Sequence, residues 1–160
     1  MKRIEANDPV ALRFMGAERY KEGDFKTAFD YCKRGAALGD ALAHYRLFIM
    51  YHNGEGVEKD KKLELHHLEK AAIGGHPQAR HNLGLKEWEN GRLDRAAKHW
   101  NISAKLGYDD SLKDLKLLYK DGLMSKEDFA AALRGHKAAV DAMKSPQREE
   151  AADPSSSRGA

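Results

Sequence analysis

The residues able to do chemistry are few, and their spacing decides what they can do. Eight histidines come first as candidate metal ligands or proton carriers, since a neutral imidazole binds transition metals and titrates near neutral pH. His66 and His67 are adjacent, and neighbours on a helix point about 100° apart, which keeps them from sharing one ion. His76 and His81 form a second pair, with His76 at a helix start, where capping or solvation suits it better than ligation. No metal site is expected. The stretch YHNGEGVEKD, Tyr51 to Asp60, sets two glycines one residue apart, as a phosphate loop would. It lacks a preceding strand, a third glycine at the dinucleotide spacing and the Gly-Lys-Ser/Thr of a P-loop, so nucleotide binding is not expected either. Cys32 lies between Tyr31 and Lys33. The lysine favours a thiolate, but no base accompanies it, and a buried or inert thiol is the expectation. Carboxylates occur as helix-face pairs with lysine, such as Glu69 beside Lys70 or Asp110 and Asp114 near Lys113. Trp88 and Trp100 read as core or groove-edge packing and not as a cofactor box. Nothing converges on a catalytic centre, so no enzyme activity and no cofactor are expected.

Positioning even these residues requires elements, and the elements are periodic. Residues 11–39 laid over 79–107, an offset of 68, match Ala11 with Ala79, Gly16 with Gly84, Gly23 with Gly91, Ala28 with Ala96 and Gly39 with Gly107. The same offset carries Leu47, Tyr51, Gly54 and Asp60 onto Leu115, Tyr119, Gly122 and Asp128. Met15, Leu47, Leu83 and Leu115 share one register, spaced by 32, 36 and 32 residues. A period of that size is the mark of a repeat architecture. Within each unit the pattern reads helix, tight turn, helix. Asp8 caps the first helix with Pro9 at its first position, Gly23 ends it, and Asp24 caps the next. Asp40, His76-Pro77 and Asp109 or Asp110 start later helices, and SKED at Ser125 resembles a capping box. In YHNGEGVEKD, Gly54 stops one helix, Gly56 bends the chain, Val57 packs the elbow and Asp60 caps the return helix. No β-alternating run survives, so the expected fold is all-α: a right-handed α-solenoid of about four helix-turn-helix repeats, about eight helices in all.

At 160 residues, with 41% hydrophobic, 33% charged and 4 prolines, one compact domain with long solvated helix faces is expected. Lys+Arg 28 against Asp+Glu 25 is close to balanced and argues against a nucleic-acid partner. A lone cysteine fits a reducing compartment. Neither a signal peptide nor a run approaching the roughly 18 apolar residues of a membrane span is present. The chain reads as soluble and intracellular, cytoplasmic for preference, with no membrane partner.

The stretch ALAHYRLFIMYHNGEGVEKDKKLELHHLEKAAIGGH resembles a Sel1-like repeat through Leu47, Tyr51, Gly54, Gly56, Val57, Asp60, Lys70, Ala71, Ala72 and Gly75. The first and third units resemble the related tetratricopeptide pattern through Met15-Gly16, Leu83-Gly84, Ala28 and Ala96. Departures are Phe48 for glycine, Glu64 for alanine and Lys116 for a small residue, the last marking the fourth unit as a degenerate cap. The opening KRIEANDPVA is similar to a block that follows a RING-type zinc finger in one branch of the family. That resemblance implies the target-holding half of a ubiquitin-ligase-like system whose RING lies outside this chain. A cysteine-rich bacterial branch carries disulfides between the helices of each repeat, and those cysteines are lacking here.

For such a fold, ligands are expected on the face lined by the first helix of each pair. Positions two before, two after and five after the shared register are Arg13, Ala17 and Tyr20; Tyr45, Ile49 and His52; His81, Leu85 and Trp88; Lys113, Leu117 and Lys120. Aromatics in the middle and cations at both ends suit an extended or helical peptide carrying acidic groups. Tyr45, Ile49 and Leu85 equally suit packing between repeats. The leading expectation is a non-enzymatic protein-interaction scaffold or adaptor. A nucleic-acid binder using the basic groove ends and a small enzyme are the alternatives, and a remnant with no retained ligand is the bland one. Expected boundaries are a lead-in over 1–7, repeats over 8–143 (units 8–39, 40–75, 76–107 and 108–143) and a disordered tail over 144–160, where Ser145-Pro146 is a candidate site for a proline-directed kinase.

Overall fold

The computed structural model describes residues 7–152, with side chains described for residues 7–144. Among these residues the chain forms eight α-helices and no strand: α1 (Pro9–Lys21), α2 (Phe25–Ala37), α3 (Ala41–Asn53), α4 (Lys61–Ile73), α5 (Pro77–Glu89), α6 (Leu93–Lys105), α7 (Asp109–Lys120) and α8 (Lys126–Ala152). The all-α repeat architecture expected from the sequence is therefore what folds.

Helix starts follow the expected capping chemistry. The Asp8 carboxylate accepts from the Val10 N–H at 3.0 Å with Pro9 in the first turn. Asp24 accepts from Thr27, Asp40 from Ala43, and Asp60 from both Lys62 and Leu63. His76 Nδ1 accepts from Ala79 at 3.3 Å, and Ser125 Oγ from Asp128 at 3.1 Å. Each such bond satisfies an orphan N–H and is worth about 1 kcal/mol. The α7 start differs from expectation. Tyr108 occupies the cap position without a side-chain bond, and Asp109 and Asp110 lie inside the first turn. There they act on the positive end of the helix and not as caps.

In the YHNGEGVEKD turn, Gly54 (φ 73°) ends α3 with its N–H donating to the Met50 carbonyl at 2.8 Å. Gly56 (φ 72°) lies directly on the backbone of Phe25 and Lys26 at the start of α2. Val57 packs against the core formed by Ala28, Leu47, Met50 and their neighbours. The two glycines thus let one turn seat against another helix.

The chain divides into two compact units, one ending at Leu83 and one beginning at Gly84, inside α5. In the first, α1 packs on α2, α2 on α3 and α3 on α4. Its core includes Leu47, buried to 1%, and a second cluster holds Leu68, Ala71, Ala72 and Ala79. In the second, α6, α7 and α8 pack on one another around Ala96, Trp100, Leu115, Leu118 and Ala132. Leu47 and Leu115 of the shared register are fully buried, whereas Met15 and Leu83 are half-buried.

One boundary is corrected. The backbone of residues 144–152 continues α8 and does not begin a disordered tail. QREEAA is rich in strong helix formers, and these outweigh its lack of apolar residues. Residues 153–160 and the side chain of Ser145 lie outside the described residues.

Candidate functional site

In the first unit, Ala17, Tyr20 and Lys21 form one stripe of α1, and Arg46 and Ile49 one stripe of α3, by the three- and four-residue spacing of a helix face. Together they line a depression of about 240 Å³. Tyr20 forms its aromatic wall. The ring meets Phe25 edge-on at 5.0 Å, and the hydroxyl donates to Glu55 Oε2 at 2.6 Å, which raises the phenol's pKa. Arg46 Nη1 donates to the Arg13 carbonyl at 2.8 Å, which anchors the cation at the rim.

The second unit repeats this arrangement. Leu85 and Trp88 of α5, Trp100 of α6, Asp114, Leu117 and Leu118 of α7, and Asp121 at the end of α7 line a depression of about 200 Å³. The 68-residue offset carries Ala17 onto Leu85, Tyr20 onto Trp88, Arg46 onto Asp114 and Ile49 onto Leu117. The two depressions are therefore the same place in the repeat, read twice. Trp88 is 43% exposed and its ring centroid lies 5.9 Å from that of Trp100, which is itself buried.

Of the expected groove residues, Tyr20 and Trp88 line these depressions, together with Ala17, Ile49, Leu85 and Leu117. The positions two before the register do not. Arg13 pairs with Asp40, the α3 cap, in a two-pronged bond that raises the guanidinium pKa. Tyr45 is buried, stacked on His76 at 4.2 Å with its hydroxyl accepting from Asn82. His81 is also buried. His52 is exposed and meets the buried Glu64 of α4 at 3.1 Å. Lys113 faces Asp110 at 3.6 Å, and Lys120 is exposed. Neither lysine lines the depression of the second unit, where the lining charges are Asp114 and Asp121. One residue along a helix turns a side chain by about 100°, enough to exchange a lysine stripe for an aspartate stripe.

Several known proteins share this fold. A Sel1 repeat protein from Oxalobacter formigenes superposes with a TM-score of 0.68 at 26% identity, covering 85% of this chain and 59% of that one. The uropathogenic Escherichia coli protective antigen c5321, described as displaying an SLR fold, gives 0.67 at 29% identity over 88% of this chain and 32% of that one. The fold is that of Sel1-like repeats. No family model matches the chain. Mouse DAP3-binding cell death enhancer 1 is 24% identical over 88% of this chain. HcpC of Helicobacter pylori strain J99, named as a candidate β-lactamase, is 38% identical over 34% of it. The chain spans 35% of the mouse protein and 19% of HcpC.

Within these Sel1-like repeats the remaining reactive groups are turned inward. Cys32 is buried, and desolvation pushes its thiol up to about 11. The rings of His44 and His67 meet Nδ1 to Nδ1 at 2.9 Å, so one donates and the other accepts. Burial, then the neighbouring His44 and His66, holds His67 down to about 4. Among the described residues no three histidine, cysteine, aspartate or glutamate side chains converge to hold a metal ion, and no helix is long and apolar enough to cross a membrane. Sequence reasoning missed Arg46, Asp114 and Asp121 as lining residues, whereas Trp100 was expected in the core or at the groove edge. The signal was available, since Asp114, Leu117, Leu118 and Asp121 follow the 3-1-3 spacing of one helix stripe.

Proposed function

We propose that the chain is a non-enzymatic interaction scaffold that holds a peptide or protein partner on the face made by the first helix of each repeat. The observation that carries this reading is the recurrence of an aromatic-walled depression at the same repeat position in both units. An aromatic ring beside aliphatic side chains and rim charges is the usual composition of a binding hot spot. In the first unit Lys21 and Arg46 suit an acidic residue of the partner. The mouse relative is by name a DAP3-binding protein, a precedent for a protein ligand. Target-holding beside a RING finger outside this chain would use the same surface.

β-Lactamase chemistry, which the name of HcpC raises, takes an accessible, activated serine in its serine form. Of the serines whose side chains are described, Ser103 and Ser111 are buried and Ser125 caps α8. This supports the non-enzymatic reading. The test is selection of a random-peptide library on the purified chain beside a Tyr20→Ala, Trp88→Ala double variant with unchanged helical circular dichroism. Peptides enriched on the parent and lost on the variant are the expected result. Equal enrichment on both, or none on either, sinks the reading.

A further inference from the structure

The two depressions occupy one repeat position and differ in the residues that set charge and room. Where the second unit has Asp114 the first has Arg46, and where the second has Leu85 the first has the smaller Ala17. The first depression is accordingly the larger, about 240 Å³ against about 200 Å³. We infer that the depression of the first unit is a phosphotyrosine subsite, which takes the ring of a phosphorylated tyrosine from the bound partner and sets Arg46 against its phosphate.

Arg46 is a half-buried cation that is held in place without being neutralised. Its Nη1 donates to the Arg13 carbonyl at 2.8 Å, and among the described residues no carboxylate pairs with the guanidinium. A carbonyl fixes the fork and leaves its charge and its other N–H donors to an anion. Arg13, by contrast, is taken up by Asp40. Lys21 adds a second lining cation, and its exposed pairing with Glu18 at 3.5 Å is of the kind that contributes little and exchanges readily. A phosphate, with a charge of about −2 and three acceptor oxygens, gains from both cations and most from the arginine fork. Glu55, engaged by the Tyr20 hydroxyl at 2.6 Å, is not among the lining residues. The apolar part of the lining, Ala17, Tyr20 and Ile49, selects the body of the ligand. An aspartate or glutamate brings a short methylene stem to that surface and a phosphorylated serine still less, whereas a tyrosine brings a whole ring to pack on the Tyr20 ring. Phe25 and the Glu55 bond already brace that wall, so it is formed before the ligand arrives.

This inference rests on the scaffold reading, and its test separates the two. Fluorescein-labelled degenerate heptapeptide pools, amidated at the C-terminus and differing only in a fixed central residue, are titrated against the full chain while anisotropy is followed. The central residue is phosphotyrosine, tyrosine, phosphoserine or glutamate, and a further tyrosine pool carries a free C-terminal carboxylate. The phosphotyrosine pool is expected to bind at least about ten-fold more tightly than every other pool, with weakening by added salt. Arg46→Lys keeps the charge but loses the fork, and is expected to lower that preference at least about five-fold. Ala17→Leu copies the residue of the second unit, leaves every charge in place and is expected to abolish the preference by filling the space. It stands as an independent variant if Arg46→Lys alters the helical circular dichroism. Any other pool bound as tightly as the phosphotyrosine pool, a phosphotyrosine pool that does not bind, or a preference that survives Ala17→Leu overturns the inference. A chain that enriches unmodified peptides on the parent over the Tyr20→Ala, Trp88→Ala variant and fails these comparisons keeps the scaffold reading and loses the phosphotyrosine subsite.

Discussion

Gly84 of α5 lies directly against the indole of Trp100 on α6, so closely that a Cβ on Gly84 would overlap Nε1 and Cδ1 of the ring. The equivalent pair in the first unit is Gly16 and Cys32, where a Cβ would meet Sγ at an ordinary 3.5 Å. One repeat position therefore makes opposite predictions in the two units. Gly84→Ala is expected to destabilise by about 1–3 kcal/mol, because an indole packed on a helix has nowhere to move. Gly16→Ala is expected to be neutral or to stabilise by roughly 0.5 kcal/mol through helix propensity. Urea unfolding followed by circular dichroism measures both. Equal effects of the two changes would show that the indole does not set the spacing of α5 and α6.

Gly56 combines two demands that no other residue meets. Its φ of 72° lies in the left-handed region, and an added Cβ would fall on the carbonyl of Phe25 and close to the amide of Lys26. Backbone cannot swing aside as a flexible side chain can. Gly56→Ala is expected to destabilise by about 2–4 kcal/mol. Gly23→Ala meets the same positive φ with no atom within 4 Å, so strain alone remains, about 1 kcal/mol. Thermal unfolding of the two variants should rank them in that order. A Gly56→Ala chain as stable as the parent would mean that the turn re-seats away from α2.

How much of this was legible in the sequence depended on whether a feature is local. Asp8, Asp24, Asp40 and Asp60 act on amides two or three residues away, and residue type and local position alone placed them. The leucine register located buried helix faces for the same reason. What local pattern could not provide was the phase between helices. Arg13 and Tyr45, at one register position, look alike as groove candidates until the capping pair with Asp40 and the stacking on His76 are seen. Those contacts cross 27 and 31 residues of sequence. Asp114 against Lys113 is the same difficulty at its smallest, a choice of adjacent residues that reverses the charge of a pocket.

His67 predicts a pH dependence of stability. In the unfolded chain it takes up a proton near 6.5, but in the fold burial beside His44 and His66 holds it down to about 4. Between these values the unfolded state binds more protons than the folded one, so stability is full above about 6.5 and falls as pH is lowered toward 4. His44 adds in the same direction, through burial first and then His66 and Lys70, with a hydrogen bond to the Ala36 carbonyl opposing. His67→Phe keeps a ring against Tyr51, with which His67 stacks at 5.6 Å, and removes one titrating group. Midpoints of urea unfolding from pH 7.5 to 4.5 should fall less steeply for this variant than for the parent. Parallel curves would place the pH dependence elsewhere.

Cys32 gives a prediction about dynamics. It is the chain's one cysteine, 5% exposed, facing Gly16 across the α1–α2 contact, with its thiol pushed up to about 11. At pH 8 the native thiolate population is then about one part in a thousand, against roughly a tenth or more in the unfolded chain. Burial also denies the reagent access, so modification must wait for α1 to part from α2. A chromogenic disulfide reagent at pH 8 is therefore expected to label the native chain at least about a hundred-fold more slowly than the chain in guanidinium. Addition of a peptide that occupies the depression beside Ala17 and Tyr20 should slow labelling further, because a ligand bound to the closed state lowers the population of the open one. Rapid labelling of the native chain would mean that α1 separates freely from α2 and that the first depression is not preformed.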